Sequence, residues 1–112
     1  MKIYTAVLLS SLLVTGCGEP TKVFSEKECR QISEAAESIM SLRQSQVPIT
    51  KTLDSLGKIY VGKGEYSETM WTTLIKPLIY EAYTKPAFST EGYQEKAKSE
   101  FSNEVYLACV KS

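Results

Sequence analysis

Ser25-Glu26-Lys27-Glu28-Cys29 is the stretch that decides how this chain folds. A hydroxyl residue followed three positions later by glutamate is a capping box. Its two side chains satisfy backbone N–H groups that a helix start leaves unpaired. Behind it Cys29, Ile32, Ala35, Ala36, Ile39, Met40 and Leu42 recur at steps of three and four. Ser33, Glu34, Glu37 and Ser38 fall largely on the other side. That periodicity predicts an amphipathic helix from about residue 25 to Gln44.

The remainder reads as further helices. Gln46-Val47-Pro48 breaks the first one. A short second helix is expected over about Thr50 to Leu56, with Leu53 and Leu56 inward and Gly57 as its C-terminal cap. Lys58 to Tyr66 is expected to be a loop. Ile59-Tyr60-Val61 has strand-like composition, but no nearby run suits it as a pairing partner. Ser67 or Thr69 should cap a third helix with a broad stripe of Met70, Trp71, Leu74, Ile75, Leu78, Ile79 and Ala82. Pro77 lies inside that stripe and would cost about 3 kcal/mol in a regular helix, so a kink or a break is expected at Lys76-Pro77. Ser89 should cap the last helix, which presents Tyr93, Ala97, Phe101, Val105, Ala108 and Cys109 on its apolar face and ends near Val110.

Ahead of this region, Lys2 precedes an apolar run from Ile3 to Val14, the layout of a secretory signal peptide. The run has about a dozen residues, short of the roughly 20 that a spanning helix needs. Val14-Thr15-Gly16-Cys17 closes it. This tetrapeptide resembles the lipobox of bacterial lipoproteins. The resemblance implies that residues 1–16 are a signal peptide, that the Cys17 thiol is lipidated, and that the mature chain begins there. It implies a protein attached to the membrane by acyl chains, facing the periplasm. Gly18, rather than Asp, after the cysteine implies the outer membrane as the address. Residues 17–24, with Gly18, Pro20 and Thr21, read as a tether of at most about 25 Å, and residues 25–112 as the folded domain.

With the leader removed, 96 of 112 residues remain and only Lys2 is lost from a balance of 13 basic and 13 acidic side chains. The resulting charge near −1 excludes the basic footprint of a nucleic-acid binder. If Cys17 carries lipid, Cys29 and Cys109 are left as an even pair in an exported protein, which suggests one disulfide. Two separate buried thiols are the alternative. A bond between them would close a loop of about 80 residues and contribute roughly 4.5 kcal/mol in the chain-entropy model. It would also join the first turn of the first helix to the last turn of the last. The expected fold is therefore all-α, a small bundle of about four helices with its ends stapled. The stapled end would lie nearest the membrane, because Cys29 follows the tether directly.

The sequence favours no chemistry. There is no histidine, so the commonest metal ligand and the usual general base near neutral pH are missing. No cofactor or metal site is expected. Gly57-Lys-Ile-Tyr-Val-Gly62-Lys63-Gly64 approaches a phosphate-binding loop but has Gly64 where a Ser or Thr must hold magnesium. A glycine-punctuated turn is the simpler reading. Glu91/Glu95 and Glu100/Glu104 are paired at helical spacing but share their face with Lys96 and Lys98, as a solvated surface would. A catalytic role is not expected.

The aromatic residues are the remaining signal. Tyrosine and tryptophan favour partner interfaces as well as bundle cores. Tyr60, Tyr66, Tyr80 and Tyr83 are the candidate interaction residues, on the Tyr60–Tyr66 loop and the third helix. Arg43 is expected to cap C-terminal carbonyls rather than bind an anion. The mature region resembles small uncharacterised helical proteins of Gram-negative bacteria and their prophages through Ile39-Met-Ser-Leu-Arg-Gln44, Glu81-Ala-Tyr83 and Pro86-Ala-Phe-Ser89. That resemblance implies a compact helical exported domain and no activity. The functional expectation is a non-enzymatic, lipid-anchored interaction protein with an unidentified envelope partner. A mobile-element exclusion lipoprotein, or a small periplasmic hydrolase or metal binder, are the alternatives. Oligomeric state is not encoded legibly.

Overall fold

The first helix starts where the capping box requires. In a computed structural model, which describes residues 24–112, α1 spans Glu26–Gln44. The Ser25 hydroxyl accepts from the Glu28 N–H at 3.1 Å, and the Glu28 carboxylate accepts from the Ser25 N–H at 2.8 Å. The signal-peptide and Cys17 readings lie outside the described residues. The other helices are α2 (Ile49–Tyr60), α3 (Glu65–Met70), α4 (Lys76–Tyr83) and α5 (Glu91–Lys111), with a π-helical turn over Trp71–Ile75 joining α3 to α4. Since α3, the π turn and α4 run on without a gap, the described residues form four helical rods, and no strand occurs among them.

Cys29 and Cys109 form the disulfide, with Cα atoms 5.6 Å apart. It joins the first turn of α1 to the last turn of α5. These two helices run antiparallel and make the most extensive pairing in the fold, and α4 packs on α1 from another side. The core is Ala36, Ile39 and Met40 of α1, Ile75, Ile79 and Ala82 of the third rod, and Phe101 of α5. Leu53 and Leu56 of α2 are half-buried against it.

Several expectations are corrected. The second helix is longer than its apolar pattern suggested, because Gly57 lies inside it. A Cβ at Gly57 would stand 3.3 Å from the Trp71 indole, so the glycine serves close helix packing rather than capping. Residues Lys58 to Tyr60 continue α2, and Glu65 and Tyr66 already belong to α3, so the expected loop shrinks to a short turn at Val61–Gly64. Gly62 and Gly64 carry that turn with φ of 83° and 114°, a region that suits glycine. Ser67 and Thr69 lie inside α3 and do not cap it; Gly64 is at its N-cap. Thr90, not Ser89, precedes α5. Tyr93 and Ala108 are exposed instead of facing the core, whereas Ser33 and Gln44 are buried.

The expected disturbance falls just before Pro77: regular α geometry stops at Met70 and resumes at Lys76, with Pro77 in the first turn of α4. The turn before it widens to π geometry, with the Lys76 N–H reaching back five residues to the Trp71 carbonyl. Widening by one residue is a recognised way to relieve a helix of the crowding that proline imposes on the preceding turn. The Thr72 and Thr73 hydroxyls donate to the Glu68 and Thr69 carbonyls at 2.9 and 2.7 Å, a pattern that also bends helices.

The end opposite the disulfide is held by polar side chains. After α1 the chain turns through Gln46 at φ 64°. The Gln46 N–H bonds to Arg43 O and the Val47 N–H to Leu42 O, which is a Schellman closure with glutamine in the position glycine prefers. Buried Gln44 donates to Pro86 O at 2.9 Å and accepts from the Phe88 N–H at 2.8 Å. Arg43 Nε donates to Lys85 O at 2.9 Å, and its guanidinium lies 5.3 Å from the Tyr83 ring centre. Arg43 therefore caps the carbonyl just beyond α4, not those of its own helix. The three motifs quoted above for their resemblance, 39–44, 81–83 and 86–89, converge here.

Candidate functional site

The four candidate tyrosines do not form one patch. Tyr83 belongs to the polar end: its hydroxyl donates to Val47 O at 2.6 Å and stands 2.8 Å from Thr52 Oγ1. That leaves it a structural residue joining α4 to α2. Tyr60 is half-buried and stacks on Trp71, with centroids 6.1 Å apart and planes at 21°. Tyr66 is 70% exposed on α3, and Tyr80 is 49% exposed on α4.

What the sequence missed is the groove between α2 and the third rod. Leu53, Gly57 and Val61 line one side, and Trp71, Lys76 and Tyr80 the other. Gly57 brings its two sides together. The absence of a side chain there lets the indole lie against the α2 backbone, and Tyr60 then supports its face. Asp54 and Lys58 also line the groove, together with Lys76 and its apolar and aromatic residues. Aromatic side chains such as these are enriched in surfaces that bind partner chains. A glycine one helical turn from a leucine, opposite a tryptophan elsewhere in the chain, was the available signal.

Outside the groove, Glu81, Glu95, Glu100 and Glu104 are engaged in surface ion pairs. Lys96 pairs with Glu100 at 3.8 Å and Lys98 with Glu95 at 2.6 Å on α5; Lys85 lies 3.7 Å from Glu81 and 3.8 Å from Glu104. The loop that approached a phosphate-binding motif is half helix: Gly57–Tyr60 belongs to α2, and the Gly62 N–H donates to the Glu68 carboxylate at 3.0 Å. Among the described residues no three His, Cys, Asp or Glu side chains cluster closely enough to hold a metal, and no helix is long and apolar enough to cross a membrane. Compared with family models, curated proteins and solved structures, the chain matches none.

Proposed function

We propose that the protein is a lipid-anchored interaction protein of the periplasmic face, held through Cys17 and acting by binding rather than by catalysis. The observation that carries the reading is the Cys29–Cys109 bond. Disulfides persist in exported proteins and are rare where thiols are kept reduced. The bond also accounts for both cysteines that follow the lipobox, which leaves Cys17 free for acylation. A lipid foot confines the domain near one membrane and raises its effective concentration for partners there. The groove lined by Trp71 and Tyr80 is the surface we assign to the partner, an envelope protein.

Two arms test this. A fatty-acid analogue should label the wild type and leave Cys17→Ala unlabelled; a label that persists in Cys17→Ala refutes anchoring at that thiol. A photoreactive side chain at Tyr80 should capture a discrete envelope protein in the native host, while the same group at Thr90 captures none. Equal capture at both sites would remove the groove from the proposal.

A further inference from the structure

Among the described residues, most of the exposed large apolar side chains gather at one end of the bundle. Tyr83 bonds to Val47 at the polar end, so the third rod runs backwards from there toward the disulfide. Leu74 and Leu78 then share an apolar cleft with Ile32, Val105 and Cys109, with Phe24 at its edge. Continuing toward the start of α3, Tyr66 lies about 10–12 Å further along the helix axis than Leu74. Carried along the rod, the hairpin between α2 and α3 extends beyond Leu74 on the disulfide side. It exposes Ile59 by 58%, Val61 by 52% and Tyr66 by 70%, and Leu107, two residues before Cys109, is 50% exposed at the same end. Among the described residues, the other two exposed side chains of this kind, Tyr80 and Tyr93, lie away from it.

This is also the end at which the described chain begins. Phe24 sits beside Cys109, and the seven Cα–Cα steps from Cys17 to Phe24 span at most about 25 Å when fully extended. On the lipid-anchor reading, on which this inference rests, acyl chains at Cys17 hold this end against the bilayer. We infer that the disulfide end is a second membrane contact. The α2–α3 hairpin inserts Ile59, Val61 and Tyr66 among the lipid headgroups, and Leu107 and the apolar cleft lie over them. Tyrosine suits that depth because its ring is apolar and its hydroxyl stays wet. Lys58 and Lys63 on the hairpin are offset by Glu65 and Glu68, so the contact is apolar and does not depend on anionic lipid. The domain is thereby oriented with its polar end pointing away from the membrane.

The test uses the full acylated chain in phosphatidylethanolamine–phosphatidylglycerol vesicles whose upper acyl carbons are brominated. Single reporters, Tyr66→Trp and Leu107→Trp, are placed in a Trp71→Phe background, with Thr90→Trp as the control at the opposite end. Interfacial side chains lie about 5–10 Å into the headgroup boundary, so both reporters should be quenched about twofold or more while Thr90→Trp is unchanged. The quenching should persist when phosphatidylglycerol is omitted. Acylated protein with unquenched reporters at 66 and 107 overturns the contact and leaves the anchor standing. Mass analysis of the Cys17 peptide from the same sample separates that result from the other failure. An unacylated protein that washes off the vesicles overturns the anchor and this contact together.

Discussion

Replacing both Cys29 and Cys109 by alanine removes a crosslink across nearly the whole domain. The sequence separation is 80 residues, for which the chain-entropy model gives about 4.5 kcal/mol at 25 °C. Cys29 is fully buried in the first turn of α1, so the truncation also removes a packed sulfur. A domain of this size has a total stability of roughly 5–13 kcal/mol. The crosslink therefore supplies a third or more of it. At a urea m value of about 1–2 kcal/mol/M the midpoint should fall by about 2–4 M. The assay is a urea titration of oxidised wild type and of the double variant, followed by far-ultraviolet dichroism. A midpoint shift below about 0.5 M would refute the reasoning, because it would mean that α1 and α5 are held by their apolar contact alone.

Other substitutions test the remaining joints. Gln44→Ala leaves the Phe88 N–H and the Pro86 carbonyl without their buried partner, and should cost about 2–4 kcal/mol in the same titration. Tyr83→Phe removes the hydroxyl between Val47 and Thr52 and should cost about 1–2 kcal/mol. Gln46→Gly relieves a left-handed non-glycine residue in a Schellman turn and should stabilise by about 0.5–1 kcal/mol; a loss would contradict the turn geometry. Gly57→Leu should displace Trp71, costing about 1–3 kcal/mol and shifting its emission, which is readable because the chain has a single tryptophan.

The helical architecture was legible because its signals were local. The capping box at Ser25 and the three-and-four spacing of Ile32, Ala36, Ile39 and Met40 predict α1 without reference to any other segment. Parity of the cysteines then supplied the one long-range contact. What stayed hidden depends on distant partners. Gly57 looks like a helix terminator unless Trp71 is known to lie against it. Pro77 signals strain, but whether the strain is met by a kink, a break or a π turn is not written in the local sequence. Ser33 reads as a surface residue yet is buried, and Gln44, at the expected end of the first helix, is buried with its amide bonded to a connector forty residues away. The candidate site was half legible. Tyr80 lines the Trp71 groove and Tyr60 stacks on the indole, whereas Tyr83 joins α4 to α2, and a half-buried hydroxyl between two helices gives no sequence signal distinct from an exposed one.

Intact mass spectrometry of the protein extracted from its native membranes under non-reducing conditions tests the central claim most directly. The account predicts one species that begins at an acylated Cys17 and is two hydrogens lighter than the dithiol, with a digest yielding the linked Cys29–Cys109 peptides. A species that retains residues 1–16 and carries both thiols free would contradict it.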